Sequence, residues 1–187
     1  MVKSGLTEKR MKDKRFRRTE EAILTAVIPI KGELSVSRIV KDASISRSTF
    51  YHHHKTVQSI IYDYETYIIK QFLKLINRWN QNQRLKVYYE QTLLFINANK
   101  VVVDYLLERG KSTIIEDMVK IIEPMIIRTY KIPKNRELML AVYRKEVLGI
   151  IEEWRKIGFK NEEMKKVLGN IMYLTESLRG RLIQLEN

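Results

Sequence analysis

The segment 35–55 contains two short stretches with the residue pattern of an amphipathic helix, separated by a break in that pattern. Its first half has one apolar stripe at the i, i+3, i+4 and i+7 positions of an α-helix, formed by Val36, Ile39, Val40 and Ala43. Ser44 and Ile45 interrupt this stripe. Ser46 is a suitable N-cap for the next helix, because its hydroxyl can accept a hydrogen bond from a free backbone N–H. The pattern predicts a helix-turn-helix whose second helix covers about residues 47–53.

The second of these helices is polar for its length, with Phe50 as its main expected core residue. Its other side chains are expected to form an exposed hydrogen-bonding surface: Arg47, Ser48, Thr49, Tyr51, His52 and His53. Such a helix suits the major groove of DNA, where base edges present donors, acceptors and thymine methyl groups.

Helical spacing continues through the rest of the chain and predicts an all-α fold of about nine helices. The later helices are expected over about residues 57–80, 85–98, 101–109, 113–130, 136–157 and 161–185. Pro29 is expected to end or kink the first helix, and Pro124 to kink a helix that continues past it. Gly110 and Gly158 are expected to close two later helices, and Asn161 to cap the last one.

The last two predicted helices, 136–157 and 161–185, have broad apolar faces. Small residues lie among these apolar positions and would permit close approach of another helix: Ala141, Gly149 and Gly169. We expect the two helices to form a four-helix bundle with those of a second copy, because a helix-turn-helix reader usually needs two half-sites. The alternative is that both helices pack only within their own domain.

The N-terminal pattern resembles the DNA-binding domain of the tetracycline-repressor (TetR) family over about residues 15–62. The motif SRSTFYHH at 46–53 carries most of the resemblance, preceded by Arg18-Thr19, Ile23-Leu24, Ala26, Val36, Ile39 and Ala43. The resemblance implies contacts with the phosphate backbone from Thr49, Tyr51 and His53. It implies contacts with base edges from Arg47, Ser48 and His52.

Three residues depart from the family's pattern. Ser44 stands where the family usually has glycine at a positive φ, so a strained backbone is expected there. His54 replaces a usual phenylalanine, which predicts a weaker packing contact. Val57 replaces the lysine that usually opens the next helix, with Lys55 as the nearest basic residue.

The resemblance also implies the organisation of the chain: a three-helix DNA-binding domain at 1–56, then a helical effector-binding and dimerisation domain at 57–187. Residues 149–164 are similar to the C-terminal region of a Firmicutes-type subgroup that dimerises through its last helices. The family typically senses a small molecule in a cavity of the second domain. Some members of the subgroup respond to protein partners instead.

Charge supports a nucleic-acid partner, since the formal net charge is +13 and basic residues are densest between Lys9 and Arg18. A basic arm there would neutralise phosphates or enter a minor groove; the alternative is a disordered, solubilising N-terminus. The predicted contacts with double-stranded DNA are Lys12, Arg15, Arg18, Ser35, Ser37, Arg38, Ser46, Arg47, Ser48, Thr49, Tyr51, His52, His53 and Lys55.

The composition argues against several other classes of protein. The chain has no cysteine, which excludes disulfides and thiolate chemistry and fits a reducing cytoplasm. We expect neither a signal peptide nor a membrane span, because no long apolar run occurs. All three histidines are consecutive and the glycines are scattered, so we predict no catalytic site, cofactor or metal site. A metal site at 52–54 is disfavoured because successive helical side chains diverge by about 100°.

Aromatic and methionine residues of the second domain are candidates for lining an effector pocket, although such residues more often form ordinary core. The candidates are Tyr67, Phe72, Trp79, Tyr88, Phe95, Tyr105, Met118, Met125, Tyr130, Tyr143 and Trp154. Two functions are consistent with these patterns. One is a dimeric repressor that a small-molecule effector releases from a pseudo-palindromic operator. The other is a DNA-binding interaction or architectural protein that is controlled by a protein partner.

Overall fold

The computed structural model describes residues 6–30, 32–78, 84–108, 112–133 and 136–184. These residues form ten α-helices and no β-strand, which confirms the predicted all-α fold. In chain order the helices are α1 (Glu8–Lys12), α2 (Lys14–Val27), α3 (Val36–Asp42), α4 (Arg47–His53), α5 (Ser59–Asn77), α6 (Leu85–Ala98), α7 (Lys100–Glu108), α8 (Ile114–Tyr130), α9 (Glu137–Lys156) and α10 (Met164–Gln184). No helix in these ranges is both long and apolar enough to cross a membrane.

The chain divides into two compact units, Met1–Lys70 and Gln71–Asn187, and the division falls within α5. The predicted boundary between residues 56 and 57 lies before this helix. α5 begins at Ser59, two positions later than predicted, and Val57 is buried ahead of it.

The first unit packs α1 against α2, α2 against α3, and α3 against α4. As predicted, α2 ends before Pro29, with Ile28 as its C-cap. The apolar core of this unit includes Leu6, Phe16, Ile23, Val27, Ile30, Ile39, Phe50, Val57 and Ile60. Phe50, on the inner face of α4, belongs to this core, and its burial sets where the outer face points.

The predicted basic arm is helical in its described part. The Thr7 hydroxyl accepts a hydrogen bond from the Arg10 N–H and caps α1. The Asp13 carboxylate accepts from the N–H groups of Arg15 (2.7 Å) and Phe16 (3.2 Å) and caps α2. The alternative of a disordered N-terminus is therefore wrong for residues 6–18, because both helices are capped and the side chains of Leu6 and Phe16 in this segment are buried.

The second unit packs α6 against α7, α8 and α10, and places α9 between α8 and α10. The predicted helix over 85–98 is confirmed as α6, and α8 continues through Pro124 as predicted. Arg109 and Gly110 and the predicted helix ends at 80 and 185 lie outside the described residues. Asn161 does not cap the last helix as expected. It opens a short 3-10 turn (Asn161–Glu163), after which α10 begins at Met164.

The turn after α9 is held by specific contacts. Gly158 has a φ of +74°, a conformation that glycine adopts without strain, and α9 closes just before it as predicted. The Trp154 indole N–H donates to the Lys160 carbonyl (2.9 Å), and the side-chain amide of Asn97 donates to the Phe159 carbonyl (2.7 Å). These bonds fix the connection between α9 and α10 against α6.

Candidate nucleic-acid interface

The helix-turn-helix has the Ser46 cap that its sequence predicts and a further cap at Ser35. The Ser35 hydroxyl accepts from the Arg38 N–H (3.3 Å) at the start of α3. The Ser46 hydroxyl accepts from the Thr49 N–H (3.0 Å) at the start of α4. Ser44 in the turn has a φ of +53°, which confirms the expected left-handed backbone at a non-glycine residue. The turn therefore has the geometry that glycine would adopt more easily.

The outer face of α4 is polar and exposed. It carries Arg47, Ser48, Tyr51 and His52, while Thr49 beside them is half-buried. Tyr51 is 52% exposed although its ring meets the buried Phe50 edge to face. The guanidinium of Arg47 donates to the Ser37 hydroxyl of α3 (2.6 Å), so both helices contribute to one hydrogen-bonding surface.

His53 is not part of this surface, and the expectation that its side chain is exposed is wrong. The phosphate contact that the resemblance implies for it is untested. Only 5% of the residue is exposed, and its ring stacks on Phe16 at a centroid distance of 4.0 Å. Its Nδ1 donates to Oε1 of Glu20 (2.5 Å). The physical reason is helical spacing, because His53 lies three residues after Phe50 and therefore faces the core with it.

His54 is also buried, at 1% exposed, and its contacts differ from the weaker apolar contact that was expected. Its Nδ1 lies 2.9 Å from Oδ2 of Asp63, and its Nε2 lies 3.2 Å from Oε2 of Glu20. The Tyr64 hydroxyl also donates to Glu20, lying 3.0 Å from Oε2. Glu20, His53, His54, Asp63 and Tyr64 are hereafter called the buried polar network.

Opposite charges within the network determine its protonation. Burial alone would raise the pKa of Glu20, but hydrogen bonds from His53 and His54 lower it to about 2. Burial alone would lower the pKa of His54, but hydrogen bonds to Asp63 and Glu20 raise it to about 9. At neutral pH His54 is therefore an imidazolium between two carboxylates. Both of its nitrogens carry protons and have no lone pair for a metal ion.

Sequence reasoning missed Glu20 and Asp63. Glu20 falls within the apolar stripe of α2 that includes Phe16 and Ile23, and a carboxylate on such a stripe signals a buried partner. Within the described residues, no group of three or more His, Cys, Asp or Glu side chains is arranged to hold a metal ion. The network is a set of hydrogen bonds among buried side chains, with His54 ion-paired to its neighbours.

The other predicted DNA-contact residues of this unit are on its surface. Exposed positions are Lys12, Arg15, Arg18, Ser35, Ser37, Arg38, Ser46 and Lys55. Arg38 also pairs with Asp42 on the surface of α3 (3.6 Å). Arg10, which sequence reasoning did not single out, donates to the His52 carbonyl (2.6 Å) and lies over the Phe16 ring. It joins α1 to the C-terminal end of α4.

The predicted dimerisation helices expose apolar side chains. On α9, Leu138 is 81% exposed and Val142 is 44% exposed, and on α10 Tyr173 is 75% exposed. Gly149 and Gly169 are also on the surface, and no heavy atom lies within 4 Å of the position a Cβ would take at either glycine. α9 and α10 therefore carry solvent-exposed apolar side chains in addition to those buried in the core of the second unit.

The predicted effector-pocket residues lie mostly in the core. Phe72, Tyr88, Tyr105, Met118, Tyr143 and Trp154 are buried, while Tyr67, Phe95, Met125 and Tyr130 are half-buried. Trp79 lies outside the described residues.

A chain of buried hydroxyls runs through this core. Tyr89 and Tyr143 share a hydrogen bond, the Tyr143 hydroxyl lies 2.7 Å from that of Thr175, and Thr175 donates to the Ile171 carbonyl. Burial raises the pKa of Tyr89 and of Tyr143, so both phenols stay neutral. These polar groups are satisfied by the protein itself, and the effector pocket stays a prediction.

Comparisons with protein-family models, curated proteins and solved structures found no match for this chain.

Proposed function

We propose that this chain is a dimeric, sequence-specific DNA-binding transcription regulator related to the TetR family. The observation that carries the proposal is the outer face of α4, where Arg47, Ser48, Tyr51 and His52 are exposed on a helix whose inner face is fully packed. A short helix of this kind, preceded by a capped helix and a tight turn, fits the major groove. Exposed Lys12, Arg15 and Arg18 would neutralise phosphates on either side.

The exposed apolar residues of α9 and α10 support a dimer. A second copy would cover Leu138, Val142 and Tyr173, and exposed glycines would let the helices approach closely. Two heads would then read two half-sites about one DNA turn apart.

Leu138→Glu is expected to convert the dimer into a monomer at micromolar concentration. The change places a charge in an interface core, where an unpaired buried charge is costly. Sedimentation velocity on the wild type and the variant measures the result. The matched control is Leu94→Glu, an exposed leucine on α6. A wild-type chain that is monomeric at high micromolar concentration would contradict the proposed interface.

Arg47→Ala and Lys12→Ala are expected to affect DNA binding differently. Loss of a base contact should cost about 1–3 kcal/mol on the preferred sequence and little on random DNA. Loss of a phosphate contact should weaken binding to both and reduce the salt slope by about 1. Fluorescence anisotropy with both duplexes at several salt concentrations separates the two effects.

The control for these variants is Arg128→Ala, which removes an exposed arginine from α8 in the second unit. It should leave both affinities unchanged. Equal losses on preferred and random DNA for Arg47→Ala would remove Arg47 from the set of base readers.

We further propose that the protein is a repressor and that a small-molecule effector relieves the repression. Ligand occupancy would favour a head spacing that no longer matches successive major grooves. The alternative is control by a protein partner. The polar atoms of Tyr143 and Trp154, two of the candidate pocket residues, already have hydrogen-bond partners within the chain. A thermal-shift screen of small molecules distinguishes the two, since only an effector-binding protein gains stability from a ligand.

A further inference from the structure

The buried polar network joins three helices at one point of the first unit. Glu20 lies on α2, His54 directly follows α4 as its C-cap, and Asp63 lies on α5. The two nitrogens of the His54 ring point to different carboxylates, one on α2 and one on α5. The C-terminal end of α4 is therefore bonded to both neighbouring helices through one side chain.

Such a bridge constrains geometry more tightly than apolar packing does. Charge-assisted hydrogen bonds depend on distance and angle, whereas apolar contacts tolerate small sliding and rotation. Breaking one of these bonds would leave a charged group buried without its partner, which is strongly unfavourable. The rotation of α4 relative to α5 is held by these bonds.

We propose that Glu20, His54 and Asp63 are positioning residues for DNA reading, which set the orientation of α4 by bridging it to α2 and α5. This inference rests on the proposed function of α4. The three residues are at most 3% exposed, so they do not touch DNA themselves. Their effect on base discrimination passes entirely through the placement of Arg47, Ser48 and His52.

Besides Glu20, His54 and Asp63, other titratable or charged side chains lie at this point, and they come from α4, α5 and α1. From α4, His53 donates to Glu20, and its ring stacks on Phe16 of α2. From α5, the Tyr64 hydroxyl donates to Glu20. From α1, the Arg10 guanidinium lies 4.3 Å above the Phe16 ring.

Protonation of His54 gives the proposal a specific signature. A neutral imidazole has a single N–H and cannot donate to Glu20 and Asp63 together. Hydrogen bonds to both carboxylates raise the pKa of His54 to about 9. Above that pH one half of the bridge is lost, and preference for the correct DNA sequence should fall while the protein stays helical.

The experiment measures the ratio of affinities for a selected operator duplex and a scrambled duplex, from pH 6.5 to 10, with circular dichroism at each pH. The wild-type ratio should fall with a midpoint near the pKa of His54. In Asp63→Asn the midpoint should move down by about one pH unit or more, because one neighbouring negative charge is removed. The matched control is Asp104→Asn, which breaks the exposed pair between Asp104 and Arg155 (2.8 Å) and should leave the midpoint unchanged.

The pH dependence of the wild-type affinity ratio can be measured even if a variant does not fold. A wild-type ratio that is constant to pH 10 would overturn the inference and leave the proposed function standing. The inference would also be overturned if the midpoint for Asp63→Asn equalled that of the wild type. It would likewise be overturned if helicity were lost over the same pH range as the preference for the operator duplex. A wild-type protein with no preference for any duplex would instead overturn the proposed function on which the inference rests.

Discussion

Phe50→Ala is expected to lower the free energy of unfolding of the first unit by about 3–5 kcal/mol, as for other large-to-small core substitutions of phenylalanine. Phe50 is fully buried, and it is the apolar anchor of α4. Its removal leaves a cavity between α4 and the helices that it packs against. DNA binding should be lost together with the fold of this unit.

Tyr51→Ala is the matched control, because it removes the neighbouring aromatic ring from the exposed side of the same helix. It should change stability by about 0.5 kcal/mol or less and still weaken DNA binding. Amide hydrogen exchange over residues 14–53 is the appropriate measurement. Both tryptophans follow residue 70 in sequence, so their fluorescence reports on the second unit. Equal protection in the two variants would contradict the assigned inner and outer faces of α4.

Acidification is expected to destabilise the first unit by about 3 kcal/mol through Glu20 alone, which follows from the linkage between pKa and folding. The pKa of Glu20 is lowered from 4.5 to about 2. Its contribution is therefore fully present above pH 4.5 and is lost as the pH falls through 2. His54 acts in the opposite direction. Its pKa is raised from 6.5 to about 9, so its contribution is present below pH 6.5 and is lost as the pH rises through 9.

The two contributions share the bond between Glu20 and His54 and do not add. Stability of the first unit should therefore be greatest between about pH 4.5 and 6.5. Urea unfolding at a series of pH values, followed by amide exchange in the first unit, gives the profile. Glu20→Gln should flatten the acid limb of this profile, which is the fall in stability below about pH 4.5. Glu21→Gln should not, because Glu21 belongs to an exposed pair with Arg17 (3.6 Å). An unchanged acid limb in Glu20→Gln would contradict the account of the network.

Features that depend on neighbouring residues could be predicted from the sequence. The bounds of α4 and the cap at Ser46 follow from short-range chemistry. The left-handed backbone at Ser44 was expected from the family resemblance, because glycine usually stands at that position. Most predicted DNA-contact residues are on the surface because they lie opposite the apolar stripes of their helices. α1 was missed because it has only five residues and little apolar periodicity of its own.

Features that depend on distant partners could not be predicted. His53 was expected on the surface and His54 in a weak packing contact, because nothing near them in sequence reveals a carboxylate. Their partner Glu20 is more than thirty positions away. A polar residue can be buried only with a partner, and that pairing is set by the tertiary fold. The same limit applies to the second unit, where the sequence alone does not distinguish a tyrosine that lines a pocket from one like Tyr143 with internal hydrogen bonds.

The proposed reading of a DNA sequence by the outer face of α4 can be tested by selection of bound fragments from a random duplex library, at near-physiological salt. We expect enrichment of an inverted repeat whose half-sites are about 10 base pairs apart, centre to centre. Enrichment of no sequence, with binding that disappears steeply as salt rises, would contradict it and show that the basic first unit holds DNA without reading it.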